Sequence, residues 1–550
     1  MKKVLTLIAF VLTLVILAGC NPKSDVKIAI KNVTAARTTI YMEFDVTDPK
    51  EIIADNGIVV VLYYLGNEIT RKSPTYTSEV TSIIFEGLSV GYKYTFNVFA
   101  TYSGKAHKMA SGEATTTTQG GSATEPKLVS TIQDFLNIPN DLTAFYRLEN
   151  DLDFNNADFQ NPFGSKQFAG NFDGNGKTIK NMNMVLTTTY IGLFGYNRGT
   201  IKNLTVENVI LNYQTSTQNI GIIAGKNAGT IENVTLKNSS ITAGFSRTGQ
   251  IYIGGITGLS ETSSKLTNIT IENVDILLTI TGRTEPHVGL LVGRAQATQV
   301  TNASASGSIV VSSMDVTNVG GLIGKIENVG LSGSSVTDSN ANVDIEVDVN
   351  VTTTTTNDTA QGVYIGGLLG TSIGTSVSSV YAKGEINLKR ASNTATTNRS
   401  DDEVSVGGLV GFTTSSIINA YADVDITVGS ATEVTLISFE RIFVGGLAGI
   451  QLGGERLDKA VYLGSSIVIY PGTNTTLQAS KVVGNMNPVK SVTVDNVVLT
   501  IGVDTISGRV VNVYGDTPSS TPSAVEVVTY ASLQTYFTST YILQTLIFNE

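Results

Sequence analysis

Apolar and polar residues alternate strictly over long stretches of this chain. Ala420, Ala422, Val424 and Ile426 share one parity and Tyr421, Asp423, Asp425 and Thr427 the other. Ala341, Val343, Ile345, Val347 and Val349 alternate in the same way with Asp344, Glu346 and Asp348. A period of two predicts strands with one buried and one wet face. Upstream of each stretch an apolar residue, one intervening residue and usually Asn recur, at Asn181, Asn203, Asn233, Asn268, Asn302 and Asn419, with Asp338, Ser379 and Lys459 at the equivalent places. Between them a glycine phrase returns eight times, as IGLFG ending at Gly195 and then in forms such as IGGLLG, ending at Gly225, Gly258, Gly293, Gly324, Gly370, Gly411 and Gly449. A fixed phrase at intervals of a few dozen residues predicts stacked coils.

Stacking explains why the same residue recurs, since equivalent positions on neighbouring coils lie about 4.8 Å apart. A buried Asn on every coil would pass a side-chain amide hydrogen bond to the next and satisfy backbone groups left open at a turn. The glycines fit corners where backbone must approach backbone. The Asn spacing runs from 22 residues (Asn181 to Asn203) to 41 (Asp338 to Ser379). The shorter value is read as one bare coil and the longer ones as coils with inserted loops. Two such loops, Val351–Gly362 and Lys389–Glu403, mark the face on which binding is expected.

Residues 25–118 have a different rhythm, with short alternating runs at Val26–Ile30, Thr39–Val46, Ile58–Tyr64, Val80–Phe85 and Tyr92–Tyr102. Such spacing predicts a β-sandwich. Leu88, Gly91, Tyr94, Phe96, Val98 and Ala100 resemble the fibronectin type III pattern, with a generic immunoglobulin-like sandwich as the alternative. The tryptophan usual in the second strand of that family is missing, and Tyr41 or Phe44 would fill its space. Downstream, FYRLENDLDFNN and FAGNFDGNGKTIKNMNM, together with the glycine phrases, resemble GLUG-motif repeat proteins. That resemblance implies a right-handed parallel β-helix on a bacterial surface protein. The expected fold class is therefore all-β, a parallel β-helix preceded by a small sandwich. The expected division is 1–20 signal peptide, 21–113 sandwich, 114–125 linker, 126–515 β-helix and 516–550 a C-terminal cap or truncated module.

Lys2 and Lys3 precede an apolar run that ends Leu17-Ala18-Gly19-Cys20, which resembles a bacterial lipobox and implies a lipid thioether on Cys20. The run is short for a bilayer-spanning helix. Cys20 is the sole cysteine of 550 residues, so packing and backbone pairing, not disulfides, must stabilise the fold. The expected partner is the membrane, through this anchor, with the rest of the chain extracytoplasmic. A formal charge of −10 argues against nucleic-acid partners.

Catalytic signatures are scarce. His107 and His287 lie far apart with no HExxH setting, so the zinc activity of some GLUG-bearing metallopeptidases has no motif here. FDGNGK (Phe172–Lys177) reads as a tight turn and lacks the spaced acids of a calcium loop. Six residues past the Asn position stand Asp344, Glu385 and Asp425, where repulsion of roughly 1 kcal/mol per pair requires either a cation, calcium being the sharper candidate, or relief by solvent and Lys383. Tyr381, Tyr421 and Tyr462 form an expected neighbouring column, a stripe for stacking sugars or a self-stack that pins register. Adhesion or binding of a glycan or protein ligand without a cofactor is the expected function, and a polysaccharide lyase or hydrolase is the alternative.

Overall fold

The computed structural model describes most of residues 25–514; residues 1–24, 515–550 and several internal stretches, among them 352–361, 394–401 and 502–509, lie outside the described residues. Cys20, the C-terminal cap reading and most of both inserted loops therefore lie outside them as well. The chain divides into two compact units, up to Leu128 and from Val129. Among the described residues no helix is long and apolar enough to cross a membrane.

The first unit holds two antiparallel sheets. One joins β1 (Lys27–Ala35), β2 (Ile40–Thr47) and β5 (Thr81–Phe85); the other orders β3 (Ile58–Tyr64), β4 (Asn67–Lys72), β6 (Lys93–Tyr102) and β7 (Lys105–Thr115) as β4-β3-β6-β7. Their inward residues, Met42, Phe44 and Phe85 from one sheet and Val60, Leu62, Phe96 and Val98 from the other, form one core. Phe44 is fully buried on β2, as are Ile40 and Met42, whereas Tyr41 points outward and donates to Glu43 Oε1 at 2.6 Å. At the start of β6, Tyr94 Oη accepts the Ser89 backbone N–H at 2.9 Å, fixing the chain that enters the strand. The expected linker starts too early: β7 runs to Thr115, and Thr116, also buried, donates its hydroxyl to Ser89 carbonyl oxygen at 2.6 Å. That bond, with the Tyr92 backbone N–H donating to the same hydroxyl at 3.0 Å, holds the end of β7 in the sandwich.

The second unit is an all-β parallel β-helix. One full coil runs through Asn219–Gly221, a corner at Ile222 and Ile223, Ala224–Asn227 and then Thr230–Phe245. Each piece pairs in parallel with its counterpart on neighbouring coils, giving a pre-glycine sheet, a post-glycine sheet and a long sheet. Register is kept by identical inward positions such as Ile231, Leu266, Val300, Val336 and Val377, all buried. The N-terminal end is plugged by the short helix Ile132–Leu136, capped reciprocally by Thr131 and Asp134, whose Phe135 ring meets Phe172 and Phe194 at 5.9 and 5.7 Å. Aromatic edges thereby cover apolar surface that an open solenoid end would expose.

The glycine phrase occupies the corner between the pre- and post-glycine sheets. A Cβ on Gly225 would lie 2.5 Å from Ile191 N and 2.8 Å from Asn219 O, both backbone atoms. Close approach is thus the reason for glycine here.

The Asn ladder is real in register, but two expectations about it are corrected. It is not buried: Asn233, Asn268 and Asn302 are exposed and Asn181, Asn203 and Asn419 are half-buried. The residue type follows from the backbone, because all six, and Asp338, Ser379 and Lys459, have φ between 50° and 57°. Asn tolerates this left-handed conformation better than other side chains except glycine. The amides nonetheless link coils, Asn233 donating to Asn203, Asn268 to Asn233 and Asn302 to Asn268 at 3.0, 2.8 and 2.8 Å.

Asn181 does not precede Asn203 on this ladder. The DGNG turn, with Asn175 and Gly176 at φ 52° and 70°, divides the strand in front of it. Asn203 therefore donates to Asp173 at 3.0 Å, 30 residues back, while Asn181 accepts from Asn208 at 3.0 Å and donates to Asp153. A bare coil is about thirty residues rather than twenty-two. A buried amide ladder does exist, elsewhere: Asn197 donates to Asn227 at 2.8 Å, and Asn227 to Ser260 Oγ at 3.3 Å.

Candidate functional site

Two residues flank every glycine phrase, and the coil geometry brings them together. Those before it, Tyr190, Asn219, Tyr252, His287, Asn318, Tyr364, Ser405 and Phe443, pair coil to coil on the pre-glycine sheet. Those after it, Tyr196, Lys226, Leu259, Arg294, Lys325, Thr371, Phe412 and Ile450, do the same on the post-glycine sheet. Each lies next to a core residue in the strand and so projects from the opposite face. Because the phrase turns the chain sharply, the two columns meet along a seam. Tyr190 and Tyr196 rings lie 5.2 Å apart, Tyr364 and Phe412 rings 5.6 Å, and Thr371 Oγ1 donates to Asn318 Oδ1 at 2.6 Å.

The middle of the seam carries a charged network. Tyr252 Oη donates to Gln250 Oε1 at 2.6 Å, and Gln250 Nε2 donates to Glu285 Oε2 at 2.7 Å. Arg294 reaches Gln250 Oε1 at 2.9 Å and also donates through Nε to Glu327 Oε1 at 2.9 Å. Lys325 and Gln296 add contacts to Glu327 at 3.2 and 2.8 Å. Towards the C-terminus Tyr364 donates to Glu403 at 2.8 Å, which Arg441 approaches to 3.2 Å. Nearer the N-terminus Lys226 pairs with Glu261 at 2.8 Å.

Burial by itself would raise the Glu285 carboxyl, but the neighbouring His287 imidazole, the Gln250 amide and the Lys325 charge override it and hold it low. Glu327 follows the same logic, with Arg294 and Lys325 outweighing burial. Burial pushes His287 below its ordinary value against the opposing pull of Glu285. His287 is 0 % exposed; its Nε2 lies 3.2 Å from a Glu285 oxygen without the alignment of a hydrogen bond, and Nδ1 has no partner.

The sites expected from sequence fall elsewhere, on the long sheet. Tyr381 and Tyr421 are in register and stack at 4.7 Å with planes 2° apart. Tyr421 is buried, and Lys383 lies 6.0 Å from the Tyr381 ring centre, so the ring faces are turned along the stack. Tyr462 does not join them. Its strand partner is Ala422, Tyr421 being paired with Val461, and the period of two therefore turns Tyr462 into the core. There it donates to Val424 carbonyl oxygen at 2.7 Å. The three-ring stripe is thus a two-ring stack plus one core tyrosine.

Glu385 and Asp425 are register partners. Asp344 accepts the Glu385 backbone N–H at 3.2 Å, and Asp425 accepts from Ser465 N, Ser465 Oγ and Ser466 N at 2.8–2.9 Å. Bonds from the following coil relieve the repulsion that calcium was invoked to relieve. Among the described residues no group of three or more His, Cys, Asp or Glu side chains is placed to hold a metal ion. His107 stacks on Tyr102 at 4.0 Å in the first unit.

The seam was not anticipated. Its signal lay in the phrase itself: the position before each phrase is aromatic, amide, imidazole or hydroxyl in all eight repeats.

Residues 285–310 and 402–427 match the GLUG motif, each segment containing one phrase and the Asn or following strand behind it. No curated protein matches the chain. Among solved structures, a family 28 exopolygalacturonase from Yersinia enterocolitica aligns with 10% identity over 88% of this chain and 99% of that one, at a TM-score of 0.20. That score is too low to bear on function. The chain is thus a parallel β-helix protein carrying GLUG motifs.

Proposed function

We propose that the protein is a bacterial lipoprotein, anchored at Cys20, whose first unit is a fibronectin type III-like spacer and whose GLUG-bearing β-helix acts outside the cytoplasm in adhesion or ligand binding without catalysis. The observation that carries this reading is the pair of columns flanking the glycine phrase. A solenoid places side chains in axial rows, and this chain fills those beside its corner with aromatic and polar groups. Repeat architectures serve as extended binding surfaces for this reason. The three-plus-four strand arrangement and the Tyr94–Ser89 bond support the spacer reading.

A second reading, a carbohydrate-active enzyme, draws on Glu285, bonded by Gln250, and Glu327, bonded by Arg294, which itself donates to Gln250. Both carboxyls are held low, which leaves neither as the proton donor that glycoside hydrolysis needs. The test is direct. Cells of a non-adherent bacterium displaying the full chain should be retained on surfaces coated with polysaccharide or mucin, and Cys20→Ala should lose both palmitate labelling and retention. Retention no greater than that of control cells, or new reducing ends released from polysaccharide, would overturn the non-catalytic adhesion reading.

A further inference from the structure

We propose that the seam between Tyr252 and Tyr364 is a binding site for a neutral carbohydrate chain, a step that rests on the ligand-binding reading above. Four observations converge on it. First, planar side chains recur along it, the buried Tyr252 and His287 and the half-buried Tyr364 on one column, with the half-buried Phe412 facing Tyr364 at 5.6 Å. Rings beside amides and carboxylates are what a hydroxyl-bearing ligand with apolar C–H faces requires. Second, the charges cancel locally, Lys226 against Glu261, Arg294 and Lys325 against Glu327 and Glu285, and Arg441 against Glu403. Such a seam has no net field to recruit an ion, but it holds many oriented donors and acceptors.

Third, the fold does not need polar groups there. Phe443 and Ile450 occupy the same two columns on a later coil, Leu259 does so on the coil of Tyr252, and all three are buried. Yet the middle coils carry His287, whose Nδ1 has no partner at 0 % exposure. A buried unsatisfied polar group is costly, and it marks a place kept for something other than packing. Glu285, on the same face of the same strand and 27 % exposed, lies 3.2 Å from the imidazole and is the group of this pair that faces solvent. Fourth, both sheets are paired coil to coil along the seam, so no strand edge is open to an extended peptide. Recognition must come through side chains.

The two histidines make a built-in reporter, because His287 lies in the seam and His107 in the first unit. The full chain would be titrated with short neutral oligosaccharides derived from cellulose, xylan, chitin and mannan, following the imidazole resonances by NMR, with His287→Gln assigning the signals. The expected result is that at least one probe shifts the His287 resonances and leaves those of His107 in place. Tyr364→Ala should weaken that binding about tenfold, while Tyr381→Ala binds as the parent does. The proposal falls if no neutral probe shifts His287, if Tyr364→Ala binds as tightly as the parent, or if oligogalacturonates bind and neutral probes do not. Should displayed cells still adhere in any of those cases, the adhesion reading stands and the seam assignment alone is lost.

Discussion

Replacing Gly225 by Ala tests whether the glycine phrase exists for close backbone approach. The added methyl would stand 2.5 Å from Ile191 N, and 2.8 Å from Asn219 O and Tyr190 C. All three are backbone atoms, so no rotamer change relieves the contact. The corner must open, and it is paired to coils on either side. Over-packing of ordinary cores costs about 1–3 kcal/mol, and a clash confined to backbone belongs at or above the upper end, about 3 kcal/mol. Gly333 provides the control, since a methyl there meets nothing within 4 Å and its φ lies outside the left-handed region. Gly333→Ala should be neutral or stabilising by roughly 0.4–1 kcal/mol through the unfolded chain. Urea titrations followed by circular dichroism would compare the two midpoints with that of the parent. Midpoints, rather than extrapolated free energies, are the proper measure for a chain of two units. If Gly225→Ala unfolds at the same urea concentration as Gly333→Ala, the steric account of the phrase is wrong.

Three further outcomes are expected. Asn233→Gly keeps the φ of 53° and loses two inter-coil amide bonds, whereas Asn233→Ala also forces alanine into the left-handed region. Thermal denaturation should therefore rank Ala below Gly by about 1 kcal/mol, and equal effects would show that the hydrogen bonds alone matter. Tyr462→Phe should cost about 1–2 kcal/mol by leaving the Val424 carbonyl without its buried donor; a neutral change in the urea midpoint would put the ring back on the outer wall. Because burial depresses the folded-state pKa of His287, its contribution is fully present above about pH 6.5 and is lost as pH falls below that, by up to about 1.4 kcal/mol per pH unit. His287→Gln should flatten that slope in urea midpoints taken between about pH 7 and about pH 5, and an unchanged slope would place the titration elsewhere.

The fold was legible because its two periods are written into the chain. Alternation located the long strands, and the repeated Asn and glycine located the coil. What sequence spacing could not supply was register across an irregular coil. Counting from Asn181 to Asn203 measured across the DGNG turn, where one strand is split into two pieces that pair with the same neighbour. Counting from the ladder position to Tyr462 missed by one residue, and with a period of two that is the difference between wall and core.

Burial of the Asn residues was inferred from recurrence, yet their recurrence answers to a backbone angle that no composition records. The candidate site stayed hidden for a different reason. Its residues differ in type from coil to coil, so a search for repeated chemistry passes over them, and only the corner geometry shows that His287, Arg294 and Tyr252 are neighbours.

The outer amide ladder also makes the rod a molecule of adjustable length. Asn233 and Asn268 each give a hydrogen bond to the coil before and take one from the coil after, so the two are interchangeable units of a directed chain. Excising residues 234–268 would remove one whole period of 35 residues and leave Asn302 facing Asn233. Gain or loss of coils by duplication or deletion would then change the length of the β-helix in steps of about 4.8 Å, without a new corner, a new register or a new cap having to arise.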